Sequence, residues 1–463
     1  MKLKKILFAA VSAGAMMLAA PSFAATELSV QRFFGACDAD FGTNTDATKA
    51  VGECGIITSL INKFNADNPD VHVNVTTVEW PGYDQLTAQF ASGDAPDIVT
   101  IHESVLSDYQ SKGLLMPLDD LLKSVGVTPD AFTDAARNGA TKDGKIYGLP
   151  IDSWTMLYHV NMDLFKQAGL VNADGTPIFP KSPEELLAQA EQFKQKTGKP
   201  YFVQNLTNET ALYTRNLYTY LFQQDSDFFA DPKHVKLNTP EAKKVVEMYK
   251  AIFEKGYTTK DLDYGGSINA FLAGEGGVHL NGTWVVGDYN AQSETKGTAL
   301  NKGGYAVYPY PQLFGGAHAQ YADGHTWAVS QKDRTPEQIA AIGKFLKFFA
   351  DNDFEWSRTG HLPAYKAVIT SDAFKALPHR NTISAVADLG RPLPSAVQRQ
   401  FAIQDIIGEE MSAAISGQKD VDTALADMES RVNELLANIC RRVRKAVPWP
   451  PAAGNGRGFL VRQ

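Results

Sequence analysis

The sequence predicts an α/β protein with a two-lobed body. Three observations point to it: strand and helix patterns alternate from the start of the body, short strand patterns return after a long helical stretch, and no repeat or low-complexity linker divides the chain. With 463 residues, 44% hydrophobic and 21% charged, the chain is long enough for more than one domain and too apolar for extended disorder.

Leu28 to Phe34 reads as the first strand. Ile56, Ile57, Leu60, Ile61 and Phe64 recur at helical spacing, and Asn68-Pro69 ends that helix. Val71, Val73 and Val75 alternate as a second strand. Tyr83 to Ala91 is a short helix with Gly93 after its end, and Asp97 to Ile101 is a buried third strand. This alternation requires parallel pairing with right-handed crossovers, and ligands then sit outside the carboxyl ends of the strands. The loops after Phe34, Glu79 and Ile101 therefore share one mouth. Helices dominate from Asn161 to Tyr257, with one face at Leu186, Ala190 and Phe193 and another at Val245, Met248, Tyr249 and Ile252. Strand-like runs return at Gly277–Leu280, Gly304–Val307 and Thr326–Ser330. Ile339, Ile342, Phe345, Leu346 and Phe349 form an apolar helix face, and Val421 to Leu436 is a last amphipathic helix.

The two ends differ from the body. Lys2, Lys4 and Lys5 precede an apolar run from Ile6 to Ala20, and Ser22-Phe23-Ala24 fits a cleavage site, so residues 1–24 are expected to be an export signal. The run is about 15 residues, short for a membrane span. The whole chain carries −8; removing the three leader lysines leaves −11, which argues against a nucleic-acid partner. An oxidising compartment permits a disulfide between Cys37 and Cys54, worth about 3 kcal/mol in the chain-entropy model; two free thiols are the other reading. Residues 440–463 form a basic tail rich in proline and glycine, from Cys440 through Arg441, Arg442, Arg444 and Lys445, and are expected to be disordered.

Between these ends lies an ordered set of motifs. Phe64-Asn65-Ala66-Asp67-Asn68-Pro69 is followed by Gly93-Asp94-Ala95-Pro96-Asp97-Ile98-Val99, then by Gly144-Lys145-Ile146-Tyr147-Gly148-Leu149-Pro150. Next come Tyr158-His159-Val160-Asn161-Met162-Asp163, Asn281-Gly282-Thr283-Trp284, Trp327-Ala328-Val329-Ser330 and Gly360-His361-Leu362-Pro363-Ala364. Over residues 26–438 the chain resembles the extracellular solute-binding family 1, the maltose-binding-protein-like receptors of sugar ABC importers. The resemblance implies the type II periplasmic-binding-protein fold, with two lobes of mostly parallel sheet flanked by helices and a ligand cleft between them. It implies an N-terminal lobe of residues 25–152 and 323–360 and a C-terminal lobe of 153–322 and 361–439. The chain would cross between lobes near Pro150–Trp154, Ala322–His325 and Thr359–Pro363.

A sugar site needs aromatic plates for C–H faces and polar groups for hydroxyls, in a cleft that excludes water. The mouth offers both. Trp80 and Tyr83 follow the second strand, and His102 and Glu103 follow the third. Asp152 and Trp154 sit at the first crossing, where related proteins carry a hinge contact. Asp323 and His325 sit at the second, and Arg358 lies near the third, where it suits an acidic sugar or an ion pair. Asn205 follows the strand-like Tyr201–Val203. Trp284 aligns with the family's stacking tryptophan. Asp97 is expected to fix a strand end, and Trp327 and Trp356 to be core.

Enzyme signatures are missing from the sequence: no Gly-x-Ser-x-Gly elbow, no His-Glu-x-x-His, no phosphate loop, and no metal-ligand pairing among the nine histidines. Neither a metal nor another cofactor is expected. A glycosidase built on Glu103 and Asp152 is the enzymatic alternative. The resulting expectation is a monomeric periplasmic receptor that captures a mono- to oligosaccharide by lobe closure and delivers it to an ABC transporter permease. The same scaffold binding a polyamine, a polyol phosphate or ferric iron is the other receptor reading, with Tyr308 and Tyr310 the candidates for iron.

Overall fold

The computed structural model describes residues 25–446 apart from Asn208, with side chains through residue 438. The export-signal expectation falls on residues 1–24, outside the described residues, as do residues 447–463. Among the described residues no helix is long and apolar enough to cross a membrane.

Strands β1 (Thr26–Arg32), β2 (Val71–Thr77) and β3 (Ile98–His102) pair in parallel in the order β2-β1-β3. Their crossovers are the helices Gly52–Asp67 and Tyr83–Ser92. Gly82 enters the second helix at φ 69°, and a Cβ there would meet Val78 Cγ2 at 2.6 Å, so the turn that carries Trp80 requires glycine. Asp97 accepts from Ser29 N and Oγ at 2.9 and 2.8 Å, pinning the start of β3 to β1.

The element that joins the lobes is β4 (Gly148–Asn161), a strand of 14 residues. After it come β5 (Phe202–Val203), β6 (Val278–Gly282), β7 (Tyr305–Tyr308), β8 (Gln320–Val329), β9 (Leu362–Pro363) and β10 (Gly390–Arg391). The first half of β4, Gly148 to Thr155, pairs antiparallel with β8, which also pairs antiparallel with β3. Its second half, Met156 to Val160, pairs antiparallel with β6, and β6 pairs in parallel with β5. One ten-stranded sheet therefore runs through both lobes. Parallel pairing holds for the first three strands. The second half is mixed, because β4 runs against both β6 and β7. The shared strand β4 runs antiparallel to every strand it pairs with.

Each lobe has its own core. The first gathers Leu28, Ile57, Phe64 and Trp327 under the helix Pro336–Asp351, whose Phe345 and Phe349 rings lie 5.2 and 5.0 Å from Trp327. That helix starts with a capping box, Thr335 with Gln338. The second gathers Phe165, Phe193, Val245, Ile252, Ile407 and Val432 from five separate helices. The last helix runs from Val421 to Ala446, past Leu436 and into the segment from Cys440 that the sequence reads as disordered. Cys440 to Ala446 contains neither proline nor glycine, so nothing in that stretch breaks the helix. The structure pairs Cys37 with Cys54, Cα to Cα 6.1 Å, closing the loop ahead of the first crossover helix.

Candidate functional site

Three chain segments lie side by side where the lobes meet. In β4 and β8, Asp152 faces His325 and Trp154 faces Asp323, and β9 pairs with Ser153 and Asp152 from the other side. His361 sits just before β9, after Gly360. Gly360 has φ 127°, and a Cβ there would lie 1.9 Å from Thr283 O, so this passage too depends on glycine.

Asp152 is the centre of a buried polar cluster and is 0% exposed. Its Oδ1 accepts from His325 N at 3.2 Å and faces His325 Nδ1 at 2.9 Å, and its Oδ2 accepts from Trp356 Nε1 at 2.7 Å. His361 Nε2 lies 3.9 Å from Asp152 Oδ2 and 2.8 Å from Glu53 Oε1, while its Nδ1 meets Thr283 Oγ1 at 2.9 Å. Burial opposes charge on Asp152, but the two histidines and the bonds from His325 and Trp356 hold its pKa down to about 2. Burial also opposes charge on His361, and Asp152 and Glu53 outweigh it, so its pKa is raised. The donor atoms of Asp152, His325 and His361 fall within 4.8 Å of one another, a spacing a metal could use. Yet Asp152 already accepts from two nitrogens and His361 is held at both ring nitrogens, so the cluster is complete by itself. Asp152 and His325, expected as solute contacts, instead hold the crossings together.

A second cluster lies beside it. The indoles of Trp80, Trp154 and Trp284 surround the guanidinium of Arg215, whose carbon is 5.5, 4.5 and 5.7 Å from their centroids. Trp80 comes from the N-terminal lobe, Trp154 from the shared strand, and Trp284 and Arg215 from the C-terminal lobe. Trp154 and Trp284 meet edge to face at 5.6 Å. Trp284 Nε1 donates to Tyr264 Oη at 2.7 Å. Trp80 and Tyr264 are 47% and 43% exposed, so large aromatic faces remain open to solvent here. Behind Trp80, the Tyr83 hydroxyl accepts from His102 N at 2.9 Å and also lies within hydrogen-bond distance of His102 Nδ1. Burial, with His325 and Arg215 nearby, lowers the His102 pKa well below its ordinary value, so the ring is neutral. Phe401 of the helix Gln400–Ile415 crosses to the other lobe and packs on Trp80, Tyr83 and His102 at 5.6, 5.0 and 4.9 Å. Arg399 N donating to Asp108 Oδ1 at 2.8 Å and Ser107 Oγ donating to Ser395 O at 2.8 Å add to this contact across the cleft.

The remaining candidates fall around these two clusters. Asp323 accepts from Ser104 N and Oγ at 3.1 and 2.5 Å and borders the aromatic cluster; burial raises its pKa. Glu103 turns toward the helix Asp134–Ala140, where a Cβ on Gly139 would overlap its carboxylate. Burial, then Asp323, pushes its pKa well up. It borders a cavity of about 670 Å³ along the shared strands, lined by Asn138, Lys142, Ser153 and Asp388 and reaching Trp154, Asp323 and Gln400 at the edge of the aromatic cluster. Ser153 and Thr155 alternate with Asp152 and Trp154 along β4 and so face the opposite way. Asn205 donates to Glu209 Oε2 at 2.5 Å, and Glu209 Oε1 in turn accepts from Leu212 N at the start of the Arg215 helix. Arg358 does not reach the cleft. It donates to the carbonyls of Ala47, Thr48 and Ala50 at 2.6, 3.1 and 3.1 Å and pairs with Glu355, tying down the disulfide loop.

Arg215, Tyr264 and Phe401 were not singled out from the sequence. Only Arg215 left a signal, as the one charged residue in the helix Ala211–Phe222, where Ala211 to Leu221 are all buried.

Residues 55–355 match the model of a family described as bacterial extracellular solute-binding protein. The sn-glycerol-3-phosphate-binding periplasmic protein UgpB of Escherichia coli is 25% identical over 422 residues, covering 83% of this chain and 90% of that protein. Among solved structures, the cyclic alpha-maltosyl-1,6-maltose binding protein of Arthrobacter globiformis superposes with a TM-score of 0.66 at 24% identity, covering 89% of this chain and 100% of that one. Maltose-bound MalE3 of T. maritima superposes with a TM-score of 0.74 at 19% identity, again over 89% and 100%.

Proposed function

The chain belongs to the bacterial extracellular solute-binding proteins, and on that premise we propose that it is the periplasmic receptor of an ABC importer for a carbohydrate, from a monosaccharide to an oligosaccharide. The observation that carries this reading is the aromatic cluster. Three indoles contributed by both lobes and the shared strand meet around one space, with open faces on Trp80 and Tyr264. Such plates suit the C–H faces of a pyranose. A solute held by both lobes has more contacts when the lobes are together, so it shifts the population toward the closed form. The closed monomer then docks on the permease. The maltose bound to T. maritima MalE3, the cyclic maltosyl-maltose named for the Arthrobacter protein and the glycerol phosphate named for UgpB agree with a hydroxylated solute.

The rival readings fit the geometry less well. A polyamine or ferric ion would face the guanidinium of Arg215 at the centre of the cluster. A glycosidase would need Asp152 at a scissile bond, and Asp152 is fully buried with its oxygens engaged. The test is a thermal-shift screen of the mature chain against neutral sugars, sugar acids, polyol phosphates, polyamines and ferric ion. A raised melting temperature with a carbohydrate or polyol derivative is the expected result. A response only to polyamine or iron would remove the carbohydrate reading and leave the receptor.

A further inference from the structure

The aromatic cluster is not electrically neutral. Arg215 is 7% exposed, and among the described residues no carboxylate lies within ion-pair distance and its Nε has no hydrogen-bond partner. The two nearest candidates are already committed: Asp323 to Ser104 and Gly324, Glu209 to Asn205 and Leu212. A buried guanidinium is stabilised in part by indole faces, but indoles leave its N–H groups without acceptors. The neighbouring orphans have the same sign. Trp154 Nε1 and the Tyr218 hydroxyl, both bordering the same space, are also buried donors without partners among the described residues, and Gln400 Oε1 is the one orphan acceptor there. Buried polar atoms are almost always satisfied, so a group of unsatisfied donors at one place marks what the site is built to receive.

We propose that Arg215 clamps an anionic group of the solute, so that the receptor takes an acidic carbohydrate: a sugar or polyol bearing a carboxylate or a phosphate. The donors of Arg215, Trp154 and Tyr218 meet the oxygens of the anion, Gln400 accepts from a hydroxyl, and the indoles of Trp80 and Trp284 cover the carbon skeleton. Arg215 projects from a helix buried along its length, so the clamp is held in place before the solute arrives. This inference rests on the receptor reading and narrows its solute.

The test uses the mature chain and matched solutes that differ only in the anion: galactose, galacturonate and galactose 6-phosphate, with glycerol and glycerol 3-phosphate as the small pair. Calorimetry is expected to give an anionic member at least about 30-fold tighter than its neutral partner, the discrimination of a buried charged contact. The carboxylate and phosphate arms separate the two sources of charge. R215M is expected to abolish that preference. Equal or tighter binding of the neutral members would overturn the clamp while leaving the carbohydrate receptor intact. If no panel member binds, two measurements decide. Mass spectrometry of solute released on denaturing the purified protein is expected to find an acid; a neutral sugar overturns the proposal. The melting temperature of solute-free R215M is expected to stay level or rise, because an unpaired buried charge is removed. A fall of more than about 3 °C would make Arg215 a structural residue and also overturn it.

Discussion

The Asp152 cluster and the Arg215 cluster are neighbours, each with a buried charged group at its centre and each built from residues far apart in sequence, yet they differ in one respect. Around Asp152 the donors find acceptors: His325, Trp356, His361, Glu53 and Thr283 close on one another. Around Arg215, its own Nε, Trp154 Nε1 and the Tyr218 hydroxyl find none among the described residues. A completed polar network specifies a structure; an incomplete one costs stability and is kept only where something else completes it. The first cluster therefore holds the three crossings in register, and on the reading proposed above the second waits for a solute. Residue type alone does not separate them, since histidine, tryptophan and a charged group occur in both.

Substitutions should break this contrast in opposite ways. The largest effect is expected from Asp152→Ala, which leaves His325 and Trp356 without their acceptor. Loss of one partner from a buried charged network should lower unfolding free energy by about 3–5 kcal/mol in chemical denaturation. A change below about 1 kcal/mol would mean that the crossings do not depend on it. Trp284→Ala should act on the other side of the comparison. Affinity for the solute should fall by about 2 kcal/mol or more, as for a central aromatic anchor, while the unfolding midpoint barely moves. Unchanged affinity in calorimetry would take Trp284 out of the site.

The smallest effect expected is a pH dependence confined to the crossings. His361 has a raised pKa in the folded chain. The stability it adds is fully present below its ordinary value of 6.5 and is lost as pH rises through the raised folded value. His361→Gln should flatten the stability profile on that alkaline side of 6.5. The low pKa of Asp152 works in the other direction: its contribution is present above the ordinary 3.8 and is lost as pH falls toward about 2. A profile of His361→Gln identical to that of the parent would assign the pH response elsewhere.

Much of this architecture was legible in the sequence. Alternating Val71, Val73 and Val75, the face from Ile56 to Phe64, and the glycines at turns are local signals, and local signals survive without a fold. Cys37 and Cys54 were readable because they share one short segment. Trp80, Trp154 and Trp284 were reachable as candidates because they follow strands or sit at a crossing, and the structure brings all three together. The division of labour between the clusters was not legible. Asp152 and His325 are 173 residues apart, and whether each is saturated depends on partners that only the sheet register supplies. Arg358 looked like a cleft residue because it lies near a crossing; the loop carbonyls that claim it belong to residues 47–50. Phe401 is half-buried on the helix Gln400–Ile415, and its sequence gives no sign of the lobe it will meet. The shared strand β4 escaped notice because both its faces are covered, so its sequence shows no clean alternation.

The measurement that tests the central claim most directly is a crystal structure of the mature chain with the solute selected by the thermal screen. The account predicts density for that solute among Trp80, Trp154 and Trp284, with its acidic group within hydrogen-bond distance of Arg215. Density instead at the far end of the large cavity, against Asn138 and Lys142, with Arg215 still unpartnered, would contradict it.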